Sequence, residues 1–140
     1  MFDVHHAADN FSYQFTQLCF CGHSHVPIAF CKKPLSAQSQ NAIEEISEWA
    51  CKRNESIVPN NTDVADSITF NIEPGWKYLI NVGSVGQPRN RDPRASFAIY
   101  DSEAKKVTRW RLPYDLEKTQ EKIIKAGLPE RLAHRLEYGK

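Results

Sequence analysis

The stretch CFCGHSHVPIAF, residues 19–30, decides how this chain is read. Two short apolar runs, LCFC at 18–21 and IAFC at 28–31, flank a break at GHSHVP, where Gly22 relaxes the backbone and Pro27 stiffens its exit. The pattern predicts a strand, a loop carrying histidines and a second strand. His23 and His25 stand two positions apart, so in an extended segment they project to one side. They could share one divalent ion, or each could serve one ion of a pair ~3.5–4 Å apart. A ligating imidazole offers one nitrogen to the ion and needs a second group to fix the other. Cys19 and Cys21 fall on the same alternation, which raises a zinc site of two cysteines and two histidines. Four ligands on alternate positions of one strand, at ~3.3 Å rise per residue, span too far to close on one ion. The cysteines read better as small buried hydrophobes.

The rest of the chain sets the class. Its 140 residues suit one domain, and 41% hydrophobic with 25% charged residues are globular values. Lys plus Arg number 18 against 17 acidic residues, a net charge of +1 that makes no case for nucleic acid or an anionic membrane. No apolar run approaches the ~18–20 residues that span a bilayer. The opening MFDVHHAADNF lacks the basic and apolar regions of a signal peptide. Cys19, Cys21, Cys31 and Cys51 crowd the first half, a poor disulfide framework, so a reduced, cytoplasmic setting is expected.

Residues 1–10 show no clear apolar period. From Ser39 to Arg53 the residues Ala42, Ile43, Ile46, Trp49 and Ala50 form one helical stripe, and Asn41 with Glu44 resembles a capping box. A helix over about 38–56 is therefore expected. SITFNI and KYLINV, around Pro74-Gly75, read as a hairpin. NVGSVGQPRNRDPR, 81–94, is a long aperiodic loop of the sort that is often functional. ASFAIYD and KVTRWRLP read as paired strands joined by SEAK. The tail, 115–139, reads as two helices: Asp115 caps the first, Gly127 ends it, and Pro129 opens the second.

Other polar residues are weaker candidates. Asp3-Val4-His5 has ligand chemistry but no preceding apolar strand to hold it, and reads as a solvated terminal stretch. His134 sits on the tail helix and reads as a surface residue. Arg89, Arg91 and Arg94 could meet phosphate through their planar forks, or simply be solvated.

Taken together, the two loops resemble a known family. CFCGHSHVPIAF resembles the Gly-His-x-His motif that closes the active site of calcineurin-like metallophosphoesterases. YLINVGSVGQPRNRDPRASFAIYD and the ending LPYDLEKTQEKIIKAGLPERLAHRLEYG are similar to the bacterial branch of YfcE-type phosphodiesterases and diadenosine tetraphosphatase-like enzymes. The likeness covers roughly residues 10–33 and 76–139, and 38–56 looks like an insertion. It implies an α/β (α+β) fold: part of a four-layer β-sandwich flanked by helices, with a mixed sheet and C-terminal helices. It further implies a hydrolase of phosphomonoester, phosphodiester or dinucleoside polyphosphate bonds, working through two divalent metals (manganese, iron, zinc or nickel). His23 and His25 would be metal ligands behind the motif glycine Gly22, and Arg89, Ser84 and Gly83 would meet the substrate.

The resemblance is partial. The family's earlier motifs, Asp-x-His, Gly-Asp-x-x-Asp, Gly-Asn-His and a further metal histidine, have no counterpart here, and Asp3-Val4-His5 imitates the first in letters only. None of the acid or base residues is present. Residues 1–140 thus look like the C-terminal part of a single metallophosphoesterase domain, incomplete alone and expected to need a missing N-terminal half or self-association. The alternative is a catalytically inactive remnant acting as an interaction or regulatory domain.

Overall fold

The first helix begins where Asp3 turns the chain: its carboxylate accepts from the backbone N–H groups of His5 and His6, both at 3.1 Å. The computed structural model describes residues 3–34, 46–49 and 63–140. Helix α1 spans Val4–Tyr13. Val4, Ala7, Ala8 and Phe11 make its apolar stripe, a helical period that alanines render faint in the sequence. The expectation of a solvated terminal stretch is therefore corrected, with Asp3 serving as a helix cap and His5 exposed. Gln14 ends α1, and its side-chain amide donates to the carbonyls of Thr16 (2.9 Å), Gln17 (3.3 Å) and Tyr78 (3.1 Å), which sets the entry into the next strand.

Four strands, β1 (Leu18–Cys21), β2 (Ile28–Lys32), β3 (Ile46–Trp49) and β5 (Lys77–Asn81), form one mixed sheet in the order β1-β5-β2-β3. Among the described residues only the β1–β5 pair is parallel. Strands β4 (Asp66–Asn71), β6 (Ala95–Asp101) and β7 (Lys106–Leu112) form an antiparallel sheet in the order β4-β7-β6. The period of two explains the continuous apolar runs. Ile28, Phe30 and Leu79 face α1, packing on Ala7 and Phe11, while Ala29, Cys31, Tyr78 and Ile80 face Phe70, Ile72 and Val107 of the other sheet. Strands β2 and β5 are thus buried on both faces, and each such large apolar side chain contributes about 1.5–3 kcal/mol. The observed class is α+β, with one mixed sheet, one antiparallel sheet and helices, in keeping with the fold class the sequence suggested.

Two expectations are corrected. SITFNI and KYLINV are not a hairpin: β4 pairs with β7, and β5 sits between β1 and β2 with both edges taken. The turn survives, with Trp76 N–H donating to Glu73 O at 3.2 Å and Gly75 at φ 81°, but it is a corner between sheets. The helix over 38–56 fails at residues 46–49, which form β3 against β2. The open edge of β2 offers backbone hydrogen bonds that a helical side-chain stripe does not foresee. The remainder of that expected helix lies outside the described residues.

The second half follows its sequence closely. β6 and β7 form the expected hairpin, its turn held by Asp101 Oδ1, which accepts from Glu103 N (3.0 Å) and Ala104 N (2.8 Å). Helix α2 (Leu116–Lys125) is capped by Asp115, which accepts from Lys118 N at 3.0 Å, and gives way at Gly127, φ 69°. Helix α3 (Glu130–His134) follows Pro129 and leaves His134 exposed. Gln120 ties the two helices by donating to Ala133 O (3.1 Å) and Glu137 Oε1 (2.7 Å). Among the described residues, no helix is long and apolar enough to cross a membrane.

Candidate metal centre

Because β1 and β5 run parallel with Cys21 opposite Asn81, the loops that leave them emerge at the same end of the sheet. In open α/β sheets that carboxyl end is where ligands ordinarily bind. One residue fastens the loops together. Asn81, 2% exposed, donates through Nδ2 to Gly22 O (2.8 Å) and Ser24 Oγ (2.9 Å), and its Oδ1 accepts from Gly83 N (3.0 Å). Asn81 was not singled out from the sequence; the signal was a polar residue closing the apolar run YLI where burial continues.

The histidines do not sit on an extended strand. β1 stops at Cys21, and His23 (φ 73°) and His25 (φ 59°) both take the left-handed conformation around Ser24. The expected alternation from Cys19 through His25 is thereby broken. Each left-handed non-glycine residue costs about 1–3 kcal/mol, and such strain gathers at functional sites. Ser24 holds the turn: its N–H donates to Gly22 O (3.0 Å), and Val26 N donates to its hydroxyl (3.3 Å). Gly22 has an ordinary φ and open space around it, so the backbone relaxation expected there falls on the histidines instead.

His25 Nδ1 lies 2.8 Å from the carbonyl oxygen of Gln87. A carbonyl only accepts, so Nδ1 carries the hydrogen and Nε2 keeps a lone pair, the arrangement that orients a metal-ligating imidazole. The Gln87 carbonyl is itself positioned, since Gln87 N donates to Ser84 Oγ at 2.8 Å and Pro88 beside it is fully buried. His23 is exposed at the mouth of the loop. Gly83 (φ 91°) is needed where it stands: a Cβ there would meet Ser96 Cβ at 3.0 Å and Pro27 Cδ at 3.2 Å.

The three arginines part company. Arg89 is exposed beside His25, its N–H donating to His25 O (3.2 Å) and its guanidinium to Gln87 Oε1 (2.7 Å). Arg91 is exposed and donates its N–H to Gly139 O at 2.9 Å. Arg94 is 4% exposed and structural, bonded to Asp92 Oδ1 (2.9 Å), Asp92 Oδ2 (2.7 Å) and Asp66 Oδ2 (2.9 Å). It is neither solvated nor free to meet phosphate. Arg111 adds a bond to Asp92 Oδ2 at 2.7 Å. Burial pushes the Asp92 carboxyl up, but Arg94's hydrogen bonds and the charges of Arg111 and Arg94 outweigh it and hold the group below the usual range.

Cys19 and Cys21 pack against the α1 side of the sheet. Burial first, and Cys19 second, push the Cys21 thiol up to about 11, which disfavours the thiolate that zinc requires. Among the described residues, no group of three or more His, Cys, Asp or Glu is placed to hold a metal. Of the two histidines, the hydrogen bond to Gln87 orients the ring of His25.

No protein-family model matches the chain. It is 50% identical over 64 residues to the uncharacterized protein MJ0912 of Methanocaldococcus jannaschii, a match covering 46% of this chain and 26% of that protein. The whole chain superposes on 49% of the crystal structure of a metallophosphoesterase from Sphaerobacter thermophilus, with a TM-score of 0.75 and 34% identity. The chain thus spans about half the length of that structure. Over the matched part the fold is similar to that of the Sphaerobacter metallophosphoesterase.

Proposed function

We propose that this chain carries the two-histidine side of a divalent-metal phosphoesterase centre, in the YfcE-like branch, and forms the C-terminal half of its fold. The observation that carries the reading is His25: its Nδ1 is committed to a backbone carbonyl and its Nε2 is left as a donor. His25 and His23 would each hold one ion of a pair, of manganese, iron, zinc or nickel. Ions bound there would supply Lewis-acid polarisation of a phosphoryl oxygen and an activated water. The chain's own residues do the positioning. Asn81 locks the histidine loop to the Gly83 loop, the Gln87 carbonyl sets the His25 ring plane, and Arg89 places a guanidinium beside it.

Arg89, with Ser84 and Gly83 at the base of its loop, is the proposed contact for substrate phosphate, whether a monoester, a diester or a dinucleoside polyphosphate. A guanidinium fork suits phosphate oxygens, and its fixed charge offsets charge gathering on them in the transition state. Two imidazoles leave a metal pair short of ligands and without a carboxylate between like charges, so further ligands come from outside the described residues. Cys19 and Cys21 are free thiols, which accords with a reduced, cytoplasmic setting.

The test is manganese-dependent hydrolysis of bis-p-nitrophenyl phosphate. The chain alone is expected to show no turnover. With the remaining part of the Sphaerobacter metallophosphoesterase supplied, turnover is expected, and it is lost in His23→Ala and His25→Ala. Turnover by the chain alone that vanishes in those variants contradicts the incomplete site. Turnover of the combined halves that survives both variants contradicts the metal roles.

A further inference from the structure

Cys19 and Cys21 take no part in the centre proposed above. Both lie in β1 with one residue between them, so the period of two puts their side chains on one face of the strand. That face looks towards α1, where both pack against the cluster of Ala7, Phe11 and Leu79. Both thiols are free and only half-buried, so a small solute can reach them. Cys31, by contrast, is 1% exposed and belongs to the opposite face, among Phe70, Ile72 and Val107. His23 does not extend the row of cysteines, because the chain turns left-handed there (φ 73°) after β1 has ended.

Geometry separates what this pair can hold from what it cannot. Alternate residues of a strand stand ~6.6 Å apart, at ~3.3 Å rise per residue. A disulfide requires Cβ atoms about 3.8 Å apart, so these cysteines cannot close one without breaking the pairing of β1 with β5. One ion bonded to two collinear sulfurs at about 2.3 Å each spans about 4.6 Å, which the side chains reach by leaning ~1 Å towards one another. Among the described residues no third His, Cys, Asp or Glu joins them. Zinc, which takes four ligands, is left short, whereas soft copper(I) favours thiolates and accepts two.

We propose that Cys19 and Cys21 form a two-coordinate site for one soft monovalent cation, copper(I), on the α1 face of β1. On binding, both S–H bonds break, two copper–sulfur bonds form, and two protons pass to solvent with no change of oxidation state. The ion displaces the thiol protons itself, as a coordinated metal does. The site uses neither histidine of the loop, so it stands or falls independently of the phosphoesterase reading.

The experiment titrates the full 140-residue chain, reduced, anaerobic and stripped of metal, with copper(I) in competition with bathocuproine disulfonate. Cys19→Ala and Cys21→Ala, small apolar replacements at half-buried positions, are each expected to weaken binding ~100-fold or more, because one thiolate then holds the ion alone. Cys51→Ala is expected to bind as the parent does. Alkylation of the parent chain, mapped by mass spectrometry, reads the site without any variant: copper(I) is expected to protect Cys19 and Cys21 together. An affinity unchanged in either single variant, a loss in Cys51→Ala, or protection of one cysteine without the other overturns the proposal. So does a Cys19–Cys21 disulfide formed by mild oxidation of the folded chain, since the strand geometry forbids it.

Discussion

His25 and Gln87, 62 positions apart, meet through one hydrogen bond, the imidazole Nδ1 donating to the backbone carbonyl at 2.8 Å. A backbone acceptor cannot be lost by changing the Gln87 side chain, so the tautomer is set by the path of the loop. That path depends on Asn81, and this dependence makes the first prediction.

Asn81→Ala removes the amide that donates to Gly22 O and Ser24 Oγ and accepts from Gly83 N, so Gly83 N loses its partner while Gly22 O and Ser24 Oγ each lose one of their bonds. The expected loss is about 1–3 kcal/mol for stranded buried groups, read as a lowered urea midpoint at unchanged m. A midpoint unchanged in Asn81→Ala contradicts the fastening role.

The glycines separate cleanly. A Cβ on Gly139, at φ 57°, would lie 2.6 Å from the backbone nitrogen of Asp92, whereas Gly22 has nothing within 4 Å. Gly139→Ala is expected to destabilise by more than about 1 kcal/mol, through overpacking against backbone and a left-handed φ. Gly22→Ala is expected to stay within about 0.5 kcal/mol. Thermal melts of the two variants side by side decide it, and equal melting temperatures contradict it.

The Asp92 cluster gives a pH dependence. Its carboxyl is held below the usual range, and a depressed carboxylate contributes stability that is present above the unfolded value and lost as pH falls through the folded one. Stability is therefore expected to decline in acid below about pH 4, the ordinary aspartate value. Asp92→Asn is expected to flatten that decline. At pH 7 the same variant is expected to lose about 3–5 kcal/mol, because it leaves the buried Arg94 guanidinium without its closest counter-charge. Urea titrations at pH 3 to 7 measure both, and parallel pH curves for variant and parent contradict the assignment.

Asp3→Ala tests the reading of the first residues. Loss of the cap to His5 and His6 is expected to lower the thermal midpoint. If Asp3 were a metal ligand instead, the variant would lose metal binding; as a cap it leaves metal binding unchanged.

What was legible in the sequence was what local chemistry decides. Asp115, Gly127 and Pro129 act at the tail helices as their residue types suggest, and the β6–β7 hairpin is set by Asp101 over its own turn. What was not legible depended on partners remote in the chain. β4 and β5 look like a hairpin until both edges of β5 are found occupied, and the stripe through Ile46 and Trp49 looks helical until β2 offers an edge. At the site, GHSH marked the loop, but left-handed backbone at both histidines and the carbonyl behind His25 follow from the Asn81 fastening and leave no sequence pattern of their own.

Of the five histidines, His23 and His25 are the proposed metal ligands, and His5, His6 and His134 are not. Manganese titrated into the labelled full chain, followed by imidazole resonances in NMR, tests it most directly. His23 and His25 are expected to broaden first, with His25 in the tautomer that carries its hydrogen on Nδ1. Broadening spread evenly over all five histidines, or centred on Asp3 and His6, would contradict it.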